Sequence, residues 1–402
     1  MVRGATVAVV RPDHGVMGGF ERHLLTVMNG LVERGWNIRH VGLDAKRPKA
    51  GILGLPIQPV QHEFHDDYFK YLSVVDQVAE LDLSRFDLVL TTQPPTYLVD
   101  HHRKVALFYH QARQFYDLSG AYLTSGFATD EIHGAAERSV RRIDRVGVGD
   151  VRHWLAGSAT AAARLRQYWS VPEDRISIYQ APPACEIPPT PPPYEPGGPL
   201  LHVGRMEWPK RPELLVNAIH LMTSDRACVF VGDGSREELV RSLDAELGAR
   251  GGTVLPEHRT WLNRGIYTAG WQPHDGPSSG RIGFIGSVDN AARDRSYQAA
   301  AAVIAPAYNE DYGLTALEAM AFARPVIVCR DGGGLTELVE HGRNGLIVDP
   351  DPRSLAAAID QLLADPAGAA ELGRAGFETV RAITEDRAIS QVEQTLEKAL
   401  AD

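Results

Sequence analysis

The sequence lacks long apolar runs and contains little cysteine. No stretch of its 402 residues approaches the roughly 18 consecutive apolar residues that a membrane-spanning helix needs. The first apolar run, Ala5–Val10, is followed at once by Arg11 and Asp13. It is too short for the apolar core of a signal peptide, and we expect a buried strand there. Three widely spaced cysteines predict neither a disulfide framework nor a paired metal site. We therefore expect a cytoplasmic protein.

The sequence also lacks an excess of basic residues. Lys and Arg number 41 against 51 Asp and Glu, a net charge of −10 at pH 7, whereas nonspecific binding to nucleic acid needs a basic surface. No nucleic-acid partner is therefore expected. One local group of arginines recurs at near-helical spacing: Arg138, Arg141, Arg142 and Arg145. This group leaves peripheral contact with the inner face of the cell membrane open, although the nearby Glu137 and Asp144 favour a solvated helix face.

Short apolar segments that end in turn residues and precede helical periodicity recur along the chain. This pattern is typical of parallel sheets covered by helices, and it occurs in two series. The first series predicts strands at Ala5–Val10, Asn37–Leu43, Asp87–Thr91, Val105–Tyr109, Trp154–Ala156 and Ile176–Tyr179. The second predicts strands at Leu200–Val203, Ala227–Val231, Ile282–Ile285, Ala302–Ala305, Pro325–Val328 and Gly345–Val348. The expected fold class is α/β, with two doubly wound domains.

A segment rich in proline and glycine, Ala181–Pro199, separates the two series. Such a segment favours stiff extended chain over a helix or a central strand. We therefore predict an N-terminal domain at 1–184, a linker at 185–199, a C-terminal domain at 200–385 and a final amphipathic helix at 386–402. Ligands of open α/β sheets bind at the carboxyl ends of the strands, so residues that directly follow strands are the functional candidates.

Two glutamates eight positions apart follow the predicted strand Ala302–Ala305. Glu310 lies in the predicted loop and Glu318 in the next helix. Between them, the backbone N–H groups at a helix N-terminus can bind an anion; they belong to Tyr312, Gly313, Leu314 and Thr315. Taken alone, each glutamate is better explained by compensation of the helix dipole.

Two further loops of the second series carry candidate residues. Arg205 and Lys210 follow Leu200–Val203 and could converge on a diphosphate, whose charge needs neutralising when it departs. Gly286 and Val288 follow Ile282–Ile285, and their main chain offers a flat edge for a base. An exposed basic loop and an ordinary turn are the simpler interpretations of these two motifs.

The first series carries weaker signals. Gly18 and Gly19 precede the amphipathic segment Phe20–Glu33, and paired glycines let the backbone approach a ligand closely. His110 directly follows Val105–Tyr109, a position from which a histidine can donate a hydrogen bond or transfer a proton. Neither signal identifies a site by itself.

Taken together, these motifs resemble the retaining glycosyltransferases of the GT-B fold, in particular glycosyltransferase family four. The resemblance extends from about residue 5 to 385, with the motifs in the family's order. The residues that carry it are Gly18-Gly19-x-Glu21, the segment ending in His110, Gly204-Arg205-x4-Lys210, the Gly286 loop, Glu310-x7-Glu318 and Gly332-Gly-Gly-x-x-Glu337. The resemblance implies two Rossmann-like doubly wound domains that face each other across a deep cleft.

The resemblance also implies roles for these residues. Glu310 would bind sugar hydroxyls and Glu318 the ribose, while Arg205 and Lys210 would hold the diphosphate. The backbone at Gly18, Gly19 and Tyr312–Thr315 would add to that hold, and Gly286–Val288 would face the base. His110 would contact the transferred sugar, and Arg113 would help to bind the acceptor.

The implied reaction moves a hexose from a nucleoside-diphosphate sugar, GDP-mannose or a UDP-hexose, to a hydroxyl of a saccharide, lipid-linked or small-molecule acceptor. His110 followed by Arg113 leans towards mannosyl transfer. No metal or other cofactor is expected, since the one tempting acidic pair, Asp349-Pro-Asp351, has the composition of a proline turn. A monomer or homodimer is expected. Two alternatives stay open: a nucleotide-sugar epimerase on the same scaffold, and an inert partner of another transferase.

Several segments depart from the family's pattern or carry no readable code. Leu247–Gly280 is long and glycine-rich, and its Trp261 and Trp271 are better explained by surface packing than by stacking on a ligand. Acceptor contacts are expected from the N-terminal loops, with Phe64–Tyr71 and Phe115–Gly126 as candidates.

Overall fold

The computed structural model describes residues 4–15, 18–46, 51–52, 55–56, 65–124, 129–251 and 276–401. The chain divides into two units. One comprises Met1–Ala181 with Thr384–Asp402, and the other comprises Pro182–Ile383. The proline-rich segment therefore groups with the second unit. Among the helices of the described residues, none has both the length and the apolar composition needed to cross a bilayer.

The first unit is built on a six-stranded sheet with the order β2-β1-β5-β6-β7-β8. Its strands, together with the small antiparallel pair β3 and β4, are β1 (Thr6–Asp13), β2 (Asn37–Asp44), β3 (Gly51–Ile52), β4 (Leu55–Pro56), β5 (Leu88–Thr91), β6 (Lys104–Phe108), β7 (Val151–Ala156) and β8 (Ile176–Ile178). The helices are α1 (Gly19–Glu33), α2 (Asp66–Ala79), α3 (Ser119–Thr124), α4 (Asp130–Val148) and α5 (Ala159–Trp169). All strand pairs of the large sheet are parallel.

The second unit repeats this plan with the order β11-β10-β9-β12-β13-β14. Its strands are β9 (Leu200–Val203), β10 (Cys228–Val231), β11 (Ile282–Phe284), β12 (Ala302–Ala305), β13 (Val326–Cys329) and β14 (Leu346–Val348). Its helices are α6 (Pro212–Leu221), α7 (Glu237–Ala249), α8 (Asn290–Ala299), α9 (Leu314–Ala321), α10 (Leu335–Leu338), α11 (Pro352–Ala364) and α12 (Pro366–Arg381). The strands pair in parallel. All residues of β12 and β13 are buried, as expected where helices cover both faces of a sheet.

The last helix, α13 (Glu385–Ala401), returns to the first unit. It buries Ile389, Val392 and Leu396, the apolar face that its sequence spacing predicts. Arg34, directly after α1, binds Glu393 at 2.7 Å and Asp386 at 2.5 Å. These ion pairs and the buried apolar face hold α13 against α1.

The α/β fold class is confirmed, and each of the twelve predicted strands is present close to its predicted bounds. The largest differences are at β1, which extends to Asp13, and at β7, which begins at Val151. Both strands gain polar residues beyond their apolar run. Backbone pairing needs no apolar side chain, so strand ends that continue into polar residues escape a search for apolar runs.

The group of arginines and acidic residues that was predicted to form a solvated helix face lies on α4. The prediction is correct for three of the arginines and wrong for Asp144. Arg138, Arg142 and Arg145 are exposed, and their contact with a membrane stays a prediction. Asp144 is fully buried. Its carboxylate accepts hydrogen bonds from the Tyr97 hydroxyl at 2.7 Å, from the Tyr116 hydroxyl at 2.6 Å and from Tyr71. Asp144 therefore lies on the buried face of α4, although arginines flank it in the sequence.

Candidate functional site

The second sheet has its topological switch point between β9 and β12. The chain leaves β9 towards β10 on one side and leaves β12 towards β13 on the other. Loops that diverge in this way leave a crevice at the carboxyl ends of the two strands, where ligands of open α/β sheets bind. The loop that contains Arg205 and Lys210 follows β9, and the loop that contains Glu310 follows β12.

Lys210 and Glu310 meet at this crevice. The Lys210 ammonium donates a hydrogen bond to Glu310 Oε2, and both side chains are partly exposed. Arg205, earlier in the same loop, is exposed. The structure therefore brings together, as an ion pair, the residue Lys210 predicted to bind the diphosphate and the residue Glu310 predicted to bind the sugar. Arg205 supplies a second cation in the same loop as Lys210.

Backbone hydrogen bonds fasten the Glu310 loop on both sides. The N–H of Tyr308 donates to Pro209 O at 2.7 Å, and the N–H of Glu310 donates to Gly332 O at 3.0 Å. The loop after β12 is thus joined to the loops that follow β9 and β13. The sequence motif around Gly332 acts here as a backbone partner of Glu310.

Arg211, which the sequence analysis did not single out, reinforces this junction. Its guanidinium binds both oxygens of Asp331, at 2.9 and 2.7 Å, and lies 4.8 Å from the centre of the Tyr308 ring. A bidentate pair of this kind fixes geometry as well as charge. Arg211 directly follows Lys210, so the Arg211–Asp331 pair restrains the backbone beside Lys210, the residue predicted to bind the diphosphate.

Helix α9 begins at the crevice. Gly313 precedes it with φ +107°, a left-handed conformation that glycine adopts without strain. The N–H groups of Ala316 and Leu317 donate to Gly313 O, while the earlier N–H groups of a helix have no partner within it. Thr315 Oγ1 lies 3.4 Å from Val203 O at the end of β9. The helix N-terminus predicted to hold an anion therefore lies beside β9.

The other two residues of the predicted anion-binding turn differ in burial. Tyr312 is buried; burial, aided by the charge of Glu337, raises the pKa of its phenol. Leu314 is partly exposed. The role predicted for Tyr312 uses its backbone N–H and does not require an exposed side chain.

Glu318 lies in the second turn of α9 and belongs to a different ion pair. It is 5% exposed; its Oε2 accepts a hydrogen bond from the Tyr297 hydroxyl at 2.8 Å, and its Oε1 lies 3.3 Å from Arg293 Nη1. The structure thus gives the two glutamates of the motif separate partners. Neither Arg293 nor Tyr297 was predicted, because α8 shows no motif of its own.

The Gly286 loop pairs with a glycine loop that the sequence analysis missed. The N–H of Gly232 donates to Gly286 O at 2.8 Å, and Ser287 Oγ donates to Asp233 at 2.9 Å. Gly232 has φ +122°, and a Cβ atom there would lie 2.1 Å from Gly204 O. The pattern Gly-x-Gly directly after β10 was the signal that could have found this loop. Val288, next to Ser287, is partly exposed.

His202 is a buried histidine beneath the crevice. It lies on β9 and bonds through Nδ1 to Ile304 O of β12 at 3.1 Å. Burial lowers its pKa to about 4, and the nearby Lys210 charge acts in the same direction. The imidazole is therefore neutral near pH 7 and joins the two strands of the switch point.

The predicted residues of the first unit lie at the carboxyl ends of β1 and β6. The N–H of Gly18 donates to Glu21 at 2.9 Å, which caps α1 just before Gly19. His110 Nδ1 lies 2.7 Å from Gln111 O. Partial desolvation lowers the pKa of His14. The charge of Glu21 acts in the opposite direction, and the charge of His110 lowers the pKa further. The structure thus adds His14, which the sequence analysis missed, to Glu21 and His110.

Arg113 is engaged within its own loop. Its Nε and Nη2 bind Asp117 Oδ2 at 3.0 and 2.7 Å, and Arg164 approaches the same carboxylate at 3.6 Å. Only 12% of the Arg113 side chain is exposed. Its predicted role in acceptor binding stays a prediction, and that role would require Arg113 to act alongside Asp117.

Some predicted segments lie outside the described residues. They include most of Leu247–Gly280 with Trp261 and Trp271, and the ends of Phe64–Tyr71 and Phe115–Gly126 that reach residues 64 and 125–126. Within the described ranges, no three His, Cys, Asp or Glu side chains form a group suited to a metal ion.

The chain is similar to known glycosyltransferases. The family model of glycosyl transferases group 1 matches residues 278–379, a range that includes Glu310 and Glu318. A D-inositol 3-phosphate glycosyltransferase of Corynebacterium diphtheriae is 33% identical over 180 residues, which cover 44% of this chain and 37% of the relative. An uncharacterized glycosyltransferase of Methanocaldococcus jannaschii is 30% identical over 169 residues, 41% of this chain and 36% of the relative. The chain thus matches little more than a third of either relative's length.

Solved structures match over nearly the whole chain. Sucrose-phosphate synthase from Thermosynechococcus elongatus superimposes with a TM-score of 0.68 at 19% identity and covers 99% of each chain. HepE of Anabaena, solved with UDP and glucose, gives a TM-score of 0.64 at 14% identity, over 98% of this chain and all of that one. The chain has the two-domain GT-B fold. Within this GT-B chain, the match to glycosyl transferases group 1 falls on the second unit, which holds the Lys210–Glu310 crevice.

Proposed function

We propose that this GT-B chain is a retaining hexosyltransferase that uses a nucleoside-diphosphate sugar and needs no metal. The observation that carries the proposal is the crevice between β9 and β12. The loop with Arg205 and Lys210 follows β9, the first turn of α9 contacts the end of β9, and Lys210 contacts Glu310. Two cations and a helix N-terminus suit a diphosphate. The similarity to glycosyl transferases group 1 over 278–379 supports the same assignment.

In the proposed reaction, the bond between the anomeric carbon and the phosphate oxygen breaks, and its electron pair stays with the diphosphate. Arg205, Lys210 and the α9 N-terminus stabilise this negative charge. The acceptor hydroxyl attacks the face from which the diphosphate departs and gives its proton to the leaving phosphate. The new glycosidic bond therefore keeps the anomeric configuration of the donor.

The Lys210–Glu310 ion pair gives donor binding a second consequence. A diphosphate that takes Lys210 as its partner releases the Glu310 carboxylate, which is then free to accept hydrogen bonds from sugar hydroxyls. We propose that Glu318 binds the ribose, that His110 contacts the transferred sugar and that Arg113 assists the acceptor. Gly286–Val288 would face the base, and the backbone N–H groups of Gly18 and Gly19 would help to bind the diphosphate.

The similar proteins indicate which donors and acceptors to test first. HepE of Anabaena was solved with UDP and glucose, so UDP-hexoses are the first donors to be tested, together with GDP-mannose. Several relatives are named D-inositol 3-phosphate glycosyltransferases, so D-inositol 3-phosphate is the first acceptor to be tested. Thermal shift identifies the donor, since a ligand at 100 times its Kd adds about 2.7 kcal/mol of stability.

Lys210→Ala tests the assignment of the diphosphate site. We expect kcat to fall by roughly 10²–10³, the cost of one preorganised charge-stabilising donor. The assay measures release of the nucleoside diphosphate with EDTA present, and NMR determines the anomeric configuration of the product. Lys398→Ala, on an exposed position of α13, is the control and should keep normal turnover. Normal turnover by Lys210→Ala would contradict the proposed site, and stabilisation by no donor would favour an inert partner subunit.

A further inference from the structure

Glu318 is a buried carboxylate whose two oxygens face two residues of one helix. Oε1 lies 3.3 Å from Arg293 Nη1, and Oε2 accepts the Tyr297 hydroxyl at 2.8 Å. Arg293 and Tyr297 are four residues apart on α8, so they lie on the same helix face one turn apart. The residues around Glu318 on α9 are apolar and buried. A charged carboxylate at such a position depends on partners of this kind.

The Arg293 side chain is also held by contacts other than the one with Glu318. Its Nε and Nη2 bind Asp294 Oδ1 at 3.1 and 2.8 Å, and Nη2 also donates to Ala184 O at 3.0 Å. The guanidinium is planar, so fixing these two nitrogens also fixes the direction of Nη1. Nη1 is buried, and among the described residues it makes no aligned hydrogen bond. Its short contact is the ion pair with Glu318.

Helix α8 also adjoins the predicted base-binding loop. It begins directly after Gly286–Val288, and Asp289 caps it by accepting from the Ala292 N–H at 2.7 Å. The helix that starts at the base loop therefore carries, one turn later, the residue that holds the Glu318 carboxylate. A nucleoside bound with its base at Gly286–Val288 would place its ribose along this helix.

We propose that Arg293 is a positioning residue that makes this site selective for ribose over deoxyribose. The inference rests on the proposed function, in which Glu318 binds the ribose. Arg293 supplies the countercharge that keeps Glu318 an acceptor-only carboxylate and, with Tyr297, fixes both of its oxygens. Two ribose hydroxyls are paired donors for such a carboxylate. A deoxyribose lacks one of them and leaves a buried acceptor without its partner, which costs binding energy.

Arg293→Met tests the inference through nucleotide binding, without any need for turnover. UDP, GDP and ADP are titrated by calorimetry, and the tightest of the three is compared with its 2′-deoxy and 3′-deoxy forms. Wild type should bind the ribonucleotide at least tenfold more tightly than one of the deoxy forms. In Arg293→Met the ribonucleotide should weaken at least tenfold, as expected for loss of an interaction with a charged group. The deoxy form should change less than threefold, so that discrimination is lost.

Arg324→Met is the matched control for folding. Arg324 is also buried in the second unit and also ties the proline-rich segment, through a hydrogen bond from Nη2 to Pro193 O at 2.6 Å. Among the described residues, the carboxylate that acts on the pKa of Arg324 is Glu195 and not Glu318. This variant should keep the ribose discrimination, and Arg293→Lys, which keeps the charge, should restore part of it. Circular dichroism and thermal unfolding confirm that each variant is folded.

The outcomes separate the inference from the proposed function. Retained discrimination in a folded Arg293→Met overturns the role of Arg293, and so does a wild type that binds a nucleotide without discriminating ribose from deoxyribose. In both cases a bound nucleoside diphosphate leaves the proposed function standing. If wild type binds none of UDP, GDP and ADP, the proposed function fails and the inference fails with it.

Discussion

Each unit of this protein buries one carboxylate in a network with tyrosine hydroxyls, and the two networks differ in charge. In the first unit, three tyrosines on separate segments donate to Asp144. In the second unit, one tyrosine donates to Glu318, and Arg293 faces its other oxygen. Among the described residues, the partners of Asp144 are neutral donors, whereas the partners of Glu318 include a cation.

This difference bears on the pKa values of Asp144 in the first network and of Arg293 in the second. Burial raises the pKa of Asp144 to about 6, although its hydrogen bonds from Tyr116, Tyr71 and Tyr97 act in the opposite direction. Three hydroxyls therefore do not replace a countercharge. In the second unit, burial lowers the pKa of Arg293, but the carboxylates of Glu318 and Asp294 outweigh this effect and raise that pKa above its ordinary value. We infer that Asp144 is a structural tie that titrates in mild acid, whereas Glu318 is the carboxylate for which we propose a role in ribose binding.

Asp144→Ala should have the largest effect on stability. At pH 5 we expect the free energy of unfolding to fall by about 4 kcal/mol, because three buried hydroxyls lose their acceptor at about 1–3 kcal/mol each. Urea unfolding measures the loss, and hydrogen exchange of α4 assigns it to the first unit. Arg142→Ala, on the exposed side of the same helix, should change stability by less than about 0.5 kcal/mol. Wild-type stability in Asp144→Ala would show that the tyrosines do not depend on this carboxylate.

A pH series sharpens the comparison through Asp144→Asn. Between the unfolded pKa near 3.8 and the folded pKa of about 6, the folded state retains a proton that the unfolded state releases. The stabilising contribution is thus complete below pH 3.8 and is lost as the pH rises through about 6, a fall of about 2–3 kcal/mol. Urea unfolding from pH 4 to 7 should show this extra fall in wild type relative to Asp144→Asn. Parallel curves for the two proteins would mean that Asp144 is ionised throughout.

The two carboxylates also show what the sequence could and could not predict. Glu318 was recognised because it stands at a fixed spacing from Glu310 within one loop and helix. Asp144 was assigned to the surface because arginines flank it, yet its partners Tyr71, Tyr97 and Tyr116 come from three segments that only the folded sheet brings together. Local spacing therefore predicts motifs on one element but not the partners that reach them from others.

The same limit applies to the rest of the site. The strands were predictable because parallel strands covered on both faces are nearly continuous apolar runs. The pair of Arg211 with Asp331 joins residues 120 positions apart, and no local pattern relates them. Arg293 lies on a polar helix whose sequence shows no motif, so its contact with Glu318 appears only when α8 and α9 pack together. The Gly232 loop and His14, which directly follow β10 and β1, were omissions that a local signal could have corrected.

The smallest effects should come from removing one tyrosine hydroxyl from each network. Tyr297→Phe takes one hydrogen bond from Glu318 and should weaken nucleotide binding about threefold to tenfold, equivalent to about 1 kcal/mol. Tyr97→Phe takes one from Asp144. It should lower the stability of the first unit by about 1 kcal/mol and leave nucleotide affinity unchanged. Because the lost bond favours the ionised carboxyl, Tyr97→Phe should also move the pH-dependent fall in stability to higher pH. Calorimetry and urea unfolding on both variants test this contrast, and a Tyr97→Phe that weakens nucleotide binding as much as Tyr297→Phe does would contradict the division between a structural and a ligand-binding carboxylate.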